Sequence, residues 1–288
     1  MDDREVKIRS GSELESAHVC IFLRWLKEGG RSSATAAKYA KEAQAMLAYL
    51  HGEAPSPALL CAYRAQLVAR HRPQTVNVKL AAVNAYLRFI GLGELRQRFL
   101  AVQRRAFVEE TRELTQEEYK RLADSARDKG RERLGLVIQT ICATGIRVGE
   151  LHAITVESAK AGRAEIAHKG KVRVILLPGR LRRALGDYAK RQGIRAGCIF
   201  RTRSGRPLDR SNIWRDMKRL AGAARVAASK VFPHNLRHLF ARAYYKVEKN
   251  LAHLADILGH SSVETTRIYV AASFREHERT LERMHLLI

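Results

Sequence analysis

The sequence predicts a mainly α-helical protein with a small β-sheet, divided into two domains. Three observations predict this. Helical periodicity runs almost unbroken from Ser12 to about Arg104. The second half mixes helical stripes with two short strand-like runs joined by a tight turn. At 288 residues the chain is long enough for two cores. The expected boundaries are 1–104 for a helical domain, 105–111 for a linker and 112–288 for a mixed domain.

In the first domain, Leu14, Ala17, Ile21 and Leu26 start an amphipathic stripe that Gly29-Gly30 ends. Ser32-Ser33 opens a second helix, with Tyr39, Ala43, Met46, Leu47 and Leu50 on one face, and His51-Gly52 stops it. Pro55 and Pro57 precede a third helix through Leu60, Tyr63 and Leu67. Pro73 starts a fourth, with Val76, Leu80, Val83, Leu87 and Ile90 inward, closed by Gly91 and Gly93. Arg24, Lys38, Lys41, Arg64, Lys79 and Arg88 are expected to face outward.

The charged, weakly periodic stretch around Arg104 to Arg112 reads as the linker. Thr115 with Glu118 forms a capping box that opens the second domain. Leu134 to Ala143 is an apolar helix ended by Thr144-Gly145. Ala164–Ala167 and Val172–Leu177 are strand-like around the turn H-K-G-K. A helix from Leu181 to Gln192, a short strand at Cys198–Phe200 and a turn at Ser204–Pro207 follow. Asp209 caps the next helix, and Pro233 starts the one after it. Leu251–Leu258 is closed by Gly259, and Ser261 with Glu264 caps a helix carrying Tyr269. The stretch 274–288 is an amphipathic tail helix with Leu281, Met284 and Leu287 on one side.

Charge narrows the function. The 53 Lys+Arg against 29 Asp+Glu give +24, which points to a polyanionic partner, most often nucleic acid. Aromatic content of 7% argues against a single-strand binder built on stacked bases, and favours backbone contacts to duplex. Cys20, Cys61, Cys142 and Cys198 are scattered without a C-x-x-C, and read as buried reduced thiols. No apolar run is long enough to span a bilayer, and the charged start has no signal-peptide core. The expectation is a cytoplasmic, nucleoid-associated protein without membrane contact.

Five motifs carry chemistry. Arg147 sits in A-T-G-I-R-V-G-E-L and Lys169 in the strand-to-strand turn. His234 and Arg237 form H-N-L-R-H, His260 sits in L-G-H-S-S, and Tyr269 follows in T-T-R-I-Y. Arginine holds two phosphate oxygens at once and stays charged, so it can neutralise charge growing on a phosphodiester without a metal. A tyrosine attacking phosphorus gives a phosphotyrosyl ester that stores bond energy for rejoining. Lys169 at a hairpin tip can protonate a leaving 5′-oxygen, with Lys171 as a competitor. His234 and His260 would hydrogen-bond the phosphate, and His234 assists proton transfer with Tyr269. His238 follows His234 by four residues, a zinc-compatible spacing. No carboxylate or cysteine completes such a set, so His238 reads as a buttress, and neither metal nor cofactor is expected.

Each residue alone has a plainer reading: surface arginines, an exposed turn lysine, an aromatic core tyrosine, and an exposed Arg147–Glu150 ion pair. The run from Leu251 to Tyr269 also looks like a helix-turn-helix. That reading leaves Arg147, Lys169 and H-N-L-R-H unexplained.

Taken together, in order and spacing, these motifs resemble the tyrosine recombinase (phage-integrase) family over nearly the whole chain. The resemblance implies a helical, SAM-like core-binding domain at 1–104 and a mixed α/β catalytic domain at 112–288. It favours Lys169, directly before the glycine, over Lys171, and gives Glu150 a role in orienting the site. It further implies double-stranded DNA with paired inverted-repeat sites, a tetramer on DNA, a Holliday junction, and a tail from Phe274 docking on a neighbouring subunit. A directionality factor or partner recombinase is compatible with it.

Two departures bear on the role. Leu239-Phe240-Ala241-Arg242 stands where many relatives have a small polar residue and then Phe-Ala-Thr. Y-Y-K-V-E-K-N differs from the usual wording of Xer-type chromosome resolvases. This tilts the expectation toward an integrase or invertase of a mobile element, while the lack of an arm-binding segment before Ser12 favours a simple recombinase acting on short inverted-repeat sites. A Xer-type resolvase, a type IB topoisomerase and a non-catalytic DNA-binding regulator are the alternatives.

Overall fold

The computed structural model describes residues 12–102, 113–168, 171–260, 262–270 and 282–284. The expected linker at 105–111, Lys169, and the tail apart from 282–284 lie outside them. The chain forms two compact units, Met1–Arg104 and Arg105–Ile288.

The first unit is built from α1 (Ser12–Glu28), α2 (Ser33–Leu50), α3 (Pro57–Arg70) and α4 (Pro73–Phe89). Ser32 and Ser56 cap α2 and α3 by accepting N–H bonds from Thr35 and Leu59. The expected inward residues of α2 to α4 make one core with Phe22 and Leu26 of α1. The expected stripe of α1 needs correction: Ile21 is exposed and Phe22 is fully buried. Phe22 wins the inward place because it packs edge-on against Tyr86 at 5.1 Å and against Phe89 at 5.3 Å. Cys20 and Cys61 are exposed, not buried, because they sit on the outer faces of α1 and α3. Lys79 is also not a free outward charge: it donates to Glu42 at 2.6 Å with only 20% of its side chain exposed.

The segment after α4 is tied back onto that helix. Asn84 exchanges two hydrogen bonds with the backbone of Gln97, and Asn77 exchanges two with the backbone of Leu100. Seven residues is about two helical turns, so both amides project from one side of α4.

The second unit comprises α5 (Gln116–Asp128), α6 (Glu132–Thr144), a 3-10 turn (Val148–Ala153), α7 (Val156–Ala161), β1 (Arg163–His168), β2 (Lys171–Leu176), α8 (Gly179–Arg191), α9 (Arg210–Ala221), α10 (Pro233–Val247), α11 (Leu251–Leu258) and α12 (Val263–Val270). The Thr115–Glu118 box forms in both directions. β1 and β2 pair antiparallel, with Ile166 opposite Arg173 and Ala164 opposite Ile175. α6 is buried along most of its length and centres a core with α5, α8, α9 and α10.

One expectation is corrected here. Cys198–Phe200 is not a strand; Cys198 makes only an isolated bridge to Thr155. Ile199 donates to Ile154 while Phe200 accepts from Leu208, so its backbone bonds go to two different segments and no ladder forms. At α12, Ser262 supplies the hydroxyl that accepts the Glu264 N–H; the expected cap, Ser261, lies outside the described residues. Among the described residues, no helix is long and apolar enough to cross a membrane.

Candidate active site

Two glycines set the frame. α6 ends at Gly145, whose φ of 66° only glycine adopts without strain. A Cβ there would lie 2.5 Å from the ring of Phe240 on α10, so the two helices meet through this missing side chain. α11 ends at Gly259, with φ 63°, and a Cβ there would lie 2.5 Å from Cδ of Arg173.

Just after Gly145 the backbone becomes extended, and Arg147 caps the 3-10 turn that holds Glu150. Glu150 is 8% exposed and is not the surface partner its spacing allows. One oxygen accepts the Arg147 backbone N–H at 2.9 Å, and the other accepts Arg147 Nη1 at 3.0 Å. Arg173 of β2 donates to both oxygens, at 3.1 and 2.6 Å. Burial pushes this carboxyl upward, but these donors outweigh it and hold it below the usual range.

Arg237 is 2% exposed, and a buried guanidinium must place its donors. Nη1 donates to the Gly145 carbonyl at 2.5 Å and Nη2 to the Leu258 carbonyl at 2.7 Å. Arg147 Nη2 donates to the next carbonyl, Gly259, at 3.2 Å. Both guanidinium groups therefore converge on consecutive peptides of the turn between α11 and α12.

That turn presents His260. Its Nε2 lies 3.0 Å from Arg237 Nη2 and its Nδ1 2.7 Å from the Thr266 hydroxyl. Arginine only donates, so Nε2 is the acceptor and Nδ1 carries the proton to Thr266. Burial first, then Arg237, Arg147, Arg173 and His234, push its pKa down to about 4. His260 is thus a neutral ring that steers Arg237.

His234 and His238 stack edge-to-face on α10 at 4.7 Å. Burial, then His234, Arg242 and Arg237, lowers His238 to about 3. His234 opens to solvent at its edge, yet crowding removes enough water to lower its pKa, helped by Arg237 and Arg147. Among the described residues, no group of three or more His, Cys, Asp or Glu could hold a metal.

The structure thus brings Arg147, Glu150, His234, Arg237, His238 and His260 together. Tyr269 lies on α12, the helix that begins three residues after His260. Lys171 opens β2, and Lys169 falls outside the described residues. Sequence reasoning missed Arg173 and Thr266. The signal for Arg173 was its parity with inward Ile175 on β2, while Val172 and Val174 face out. Thr266, fully buried on α12, had no signal beyond its polarity.

Comparison with known proteins gives a consistent picture. The description "Phage integrase family" matches residues 112–276. Tyrosine recombinase XerA of Pyrococcus furiosus is 28% identical over 277 residues, covering 92% of this chain and 93% of that protein. Tyrosine recombinase XerC of Roseiflexus castenholzii is 32% identical over 46% of this chain and 45% of its own. In fold, the Tn1549 transposon integrase in complex with transposon right end DNA superposes with TM-score 0.69 at 15% identity, covering 94% and 99% of the two chains. A lambda integrase tetramer bound to a Holliday junction gives 0.67 at 20% identity, covering 88% and 76%.

Proposed function

The chain belongs to the phage integrase family and is a tyrosine site-specific recombinase, and on that premise we propose that it cuts and rejoins duplex DNA through a 3′-phosphotyrosyl intermediate on Tyr269. One observation carries this: Arg147 and Arg237 donate to consecutive carbonyls of the turn that leads into the Tyr269 helix. A phosphate entering beside that turn would meet two fixed cations at the turn that precedes the nucleophile's helix.

In this reading the Tyr269 oxygen attacks phosphorus, and its proton passes to His234, whose lowered pKa keeps it neutral and able to accept. Arg147 and Arg237 neutralise the charge growing on the non-bridging oxygens. The P–O bond to the 5′-oxygen breaks, and Lys169 protonates that oxygen as it leaves. Attack by a 5′-hydroxyl on the phosphotyrosyl ester reverses the step on a new strand, so no ATP is consumed. Two strand exchanges through a Holliday junction, by a tetramer on paired inverted repeats, complete recombination. The lambda integrase tetramer on a junction supports this assembly by likeness of fold.

The biological role we favour is integration or inversion for a mobile element, on the wording Tyr244-Tyr245-Lys246-Val247-Glu248-Lys249-Asn250. A Xer-type resolvase is the second reading, favoured by the near full-length likeness to XerA.

The test is a suicide duplex, nicked next to candidate repeats from the gene's flanks, run on a denaturing gel. A covalent protein–DNA band is expected with wild type and not with Tyr269→Phe, which keeps DNA binding. A band with both proteins would sink the assignment of the nucleophile. Sites mapping to an element's ends support the mobile-element role, and a chromosomal site outside any element supports the resolvase.

A further inference from the structure

Glu150 serves two arginines from two different elements. Arg147 reaches it from the 3-10 turn, and Arg173 reaches it from β2. A charged side chain on the inward face of a strand needs a full partner. Arg173 finds one by a two-point fork onto the carboxylate, and only 12% of its side chain remains exposed. Its stem also fills the space beside Gly259, where a Cβ would fall 2.5 Å from its Cδ and 2.8 Å from Nη1. The carbonyl of that same glycine accepts from Arg147. Arg173 therefore reaches Arg147 by two routes: through the shared carboxylate, and through the Gly259 peptide.

We propose that Arg173 is a positioning residue that ties the β1–β2 hairpin to the phosphate-gripping guanidinium of Arg147. The role rests on the recombinase reading above. Arg173 does not touch phosphate itself; its two Nη groups are committed to Glu150. It fixes which way the Glu150 carboxylate faces, and that carboxylate sets the Arg147 fork. The place of β2 and the aim of the Arg147 guanidinium are thereby linked through one carboxylate.

The test compares two scissile groups in the same nicked duplex: the ordinary phosphodiester, and a methylphosphonate, which lacks one negative charge and needs less from the arginines. Covalent complex formation is timed for wild type, Arg173→Gln and Arg173→Lys. Arg173→Gln should slow the phosphodiester about 100-fold and the methylphosphonate less than about 10-fold, since only the charged group depends on a well-aimed guanidinium. Arg173→Lys, which keeps the charge and loses the fork, should fall between. DNA affinity should stay within about 2-fold, because most phosphate contacts lie elsewhere.

Equal slowing of both substrates would mean that Arg173 only supports the fold, and would overturn the proposal. Wild-type rates on both would overturn it too. If Arg173→Gln does not fold, Arg173→Lys decides on the same two substrates. A wild-type protein that forms no covalent complex with either substrate would sink the cleavage chemistry itself, and this role with it.

Discussion

Acid should unfold this protein earlier than its carboxylates require. His238 and His260 are pressed to about 3 and about 4, and His234 is lowered as well. In the unfolded chain each imidazole takes up its proton near pH 6.5. In the folded protein His260 and His238 resist until near pH 4 and pH 3. Between those values the unfolded state holds more protons, so their share of stability is complete above pH 6.5 and is lost as pH falls. The limiting slope is about 1.4 kcal/mol per pH unit for each histidine. From pH 6.5 to 5 that is about 2 kcal/mol each, and half that after allowing for the water that reaches both rings. A total of about 2 kcal/mol is a sizeable part of ordinary domain stability.

The assay is urea unfolding followed by circular dichroism, in steps from pH 7.5 to 5. The depressed carboxylates, Glu118 and Glu150 among them, stay out of this window because they take protons lower still. The midpoint of the catalytic unit should fall steadily below pH 6.5. His260→Asn, with no ring to titrate, should start lower and fall less steeply. A flat midpoint between pH 7 and 5.5, or an unchanged slope in His260→Asn, would refute the reasoning.

Two further outcomes test the frame of the site. Gly145→Ala should lower stability by about 2–4 kcal/mol, because it combines a left-handed backbone with a 2.5 Å approach to the Phe240 ring. It should also slow cleavage by displacing the carbonyl that holds Arg237; an unchanged urea midpoint would contradict this. Arg242→Met should cost about 2 kcal/mol, because it strips a half-buried partner from Glu113 and a donor from the Leu114 carbonyl. Thermal unfolding measures it, and a shift under one degree would argue that the pair is idle.

Most helices were legible because their ends carry their own chemistry. Thr115 with Glu118, Asp209, Pro233 and Gly259 mark boundaries that the structure places within a residue or two. Their faces were less legible where two apolar residues compete. On α1, Ile21 and Phe22 are neighbours, and only the aromatic partners waiting on α4 decide which one goes in. The site was legible as a set of motifs, because its residues fall at the ends of helices that the sequence marks. Its wiring was not. Glu150 and Arg147 are three residues apart and suggest a surface pair; the burial of Glu150 comes from Arg173, 23 residues away. The tautomer of His260 depends on Thr266 and Arg237, and neither spacing announces a contact.

Arg242 shows how a departure from family wording can be built into the structure. It ends the run Leu239-Phe240-Ala241-Arg242, where the expected wording closes on threonine, and here it clasps Glu113 and the Leu114 carbonyl at the entry to the second unit. The same helix, α10, carries His234, Arg237 and His238, and the Arg242 charge helps to keep His238 neutral. A small residue at 242 could supply neither the clasp nor the charge. At the end of the first unit, Asn77 and Asn84 hold the backbone at Leu100 and Gln97. Each flank of the segment between the units is thus fixed by side chain to backbone bonds within its own unit. At the second flank the holding residue lies five positions after Arg237, on the same helix that positions the buried guanidinium.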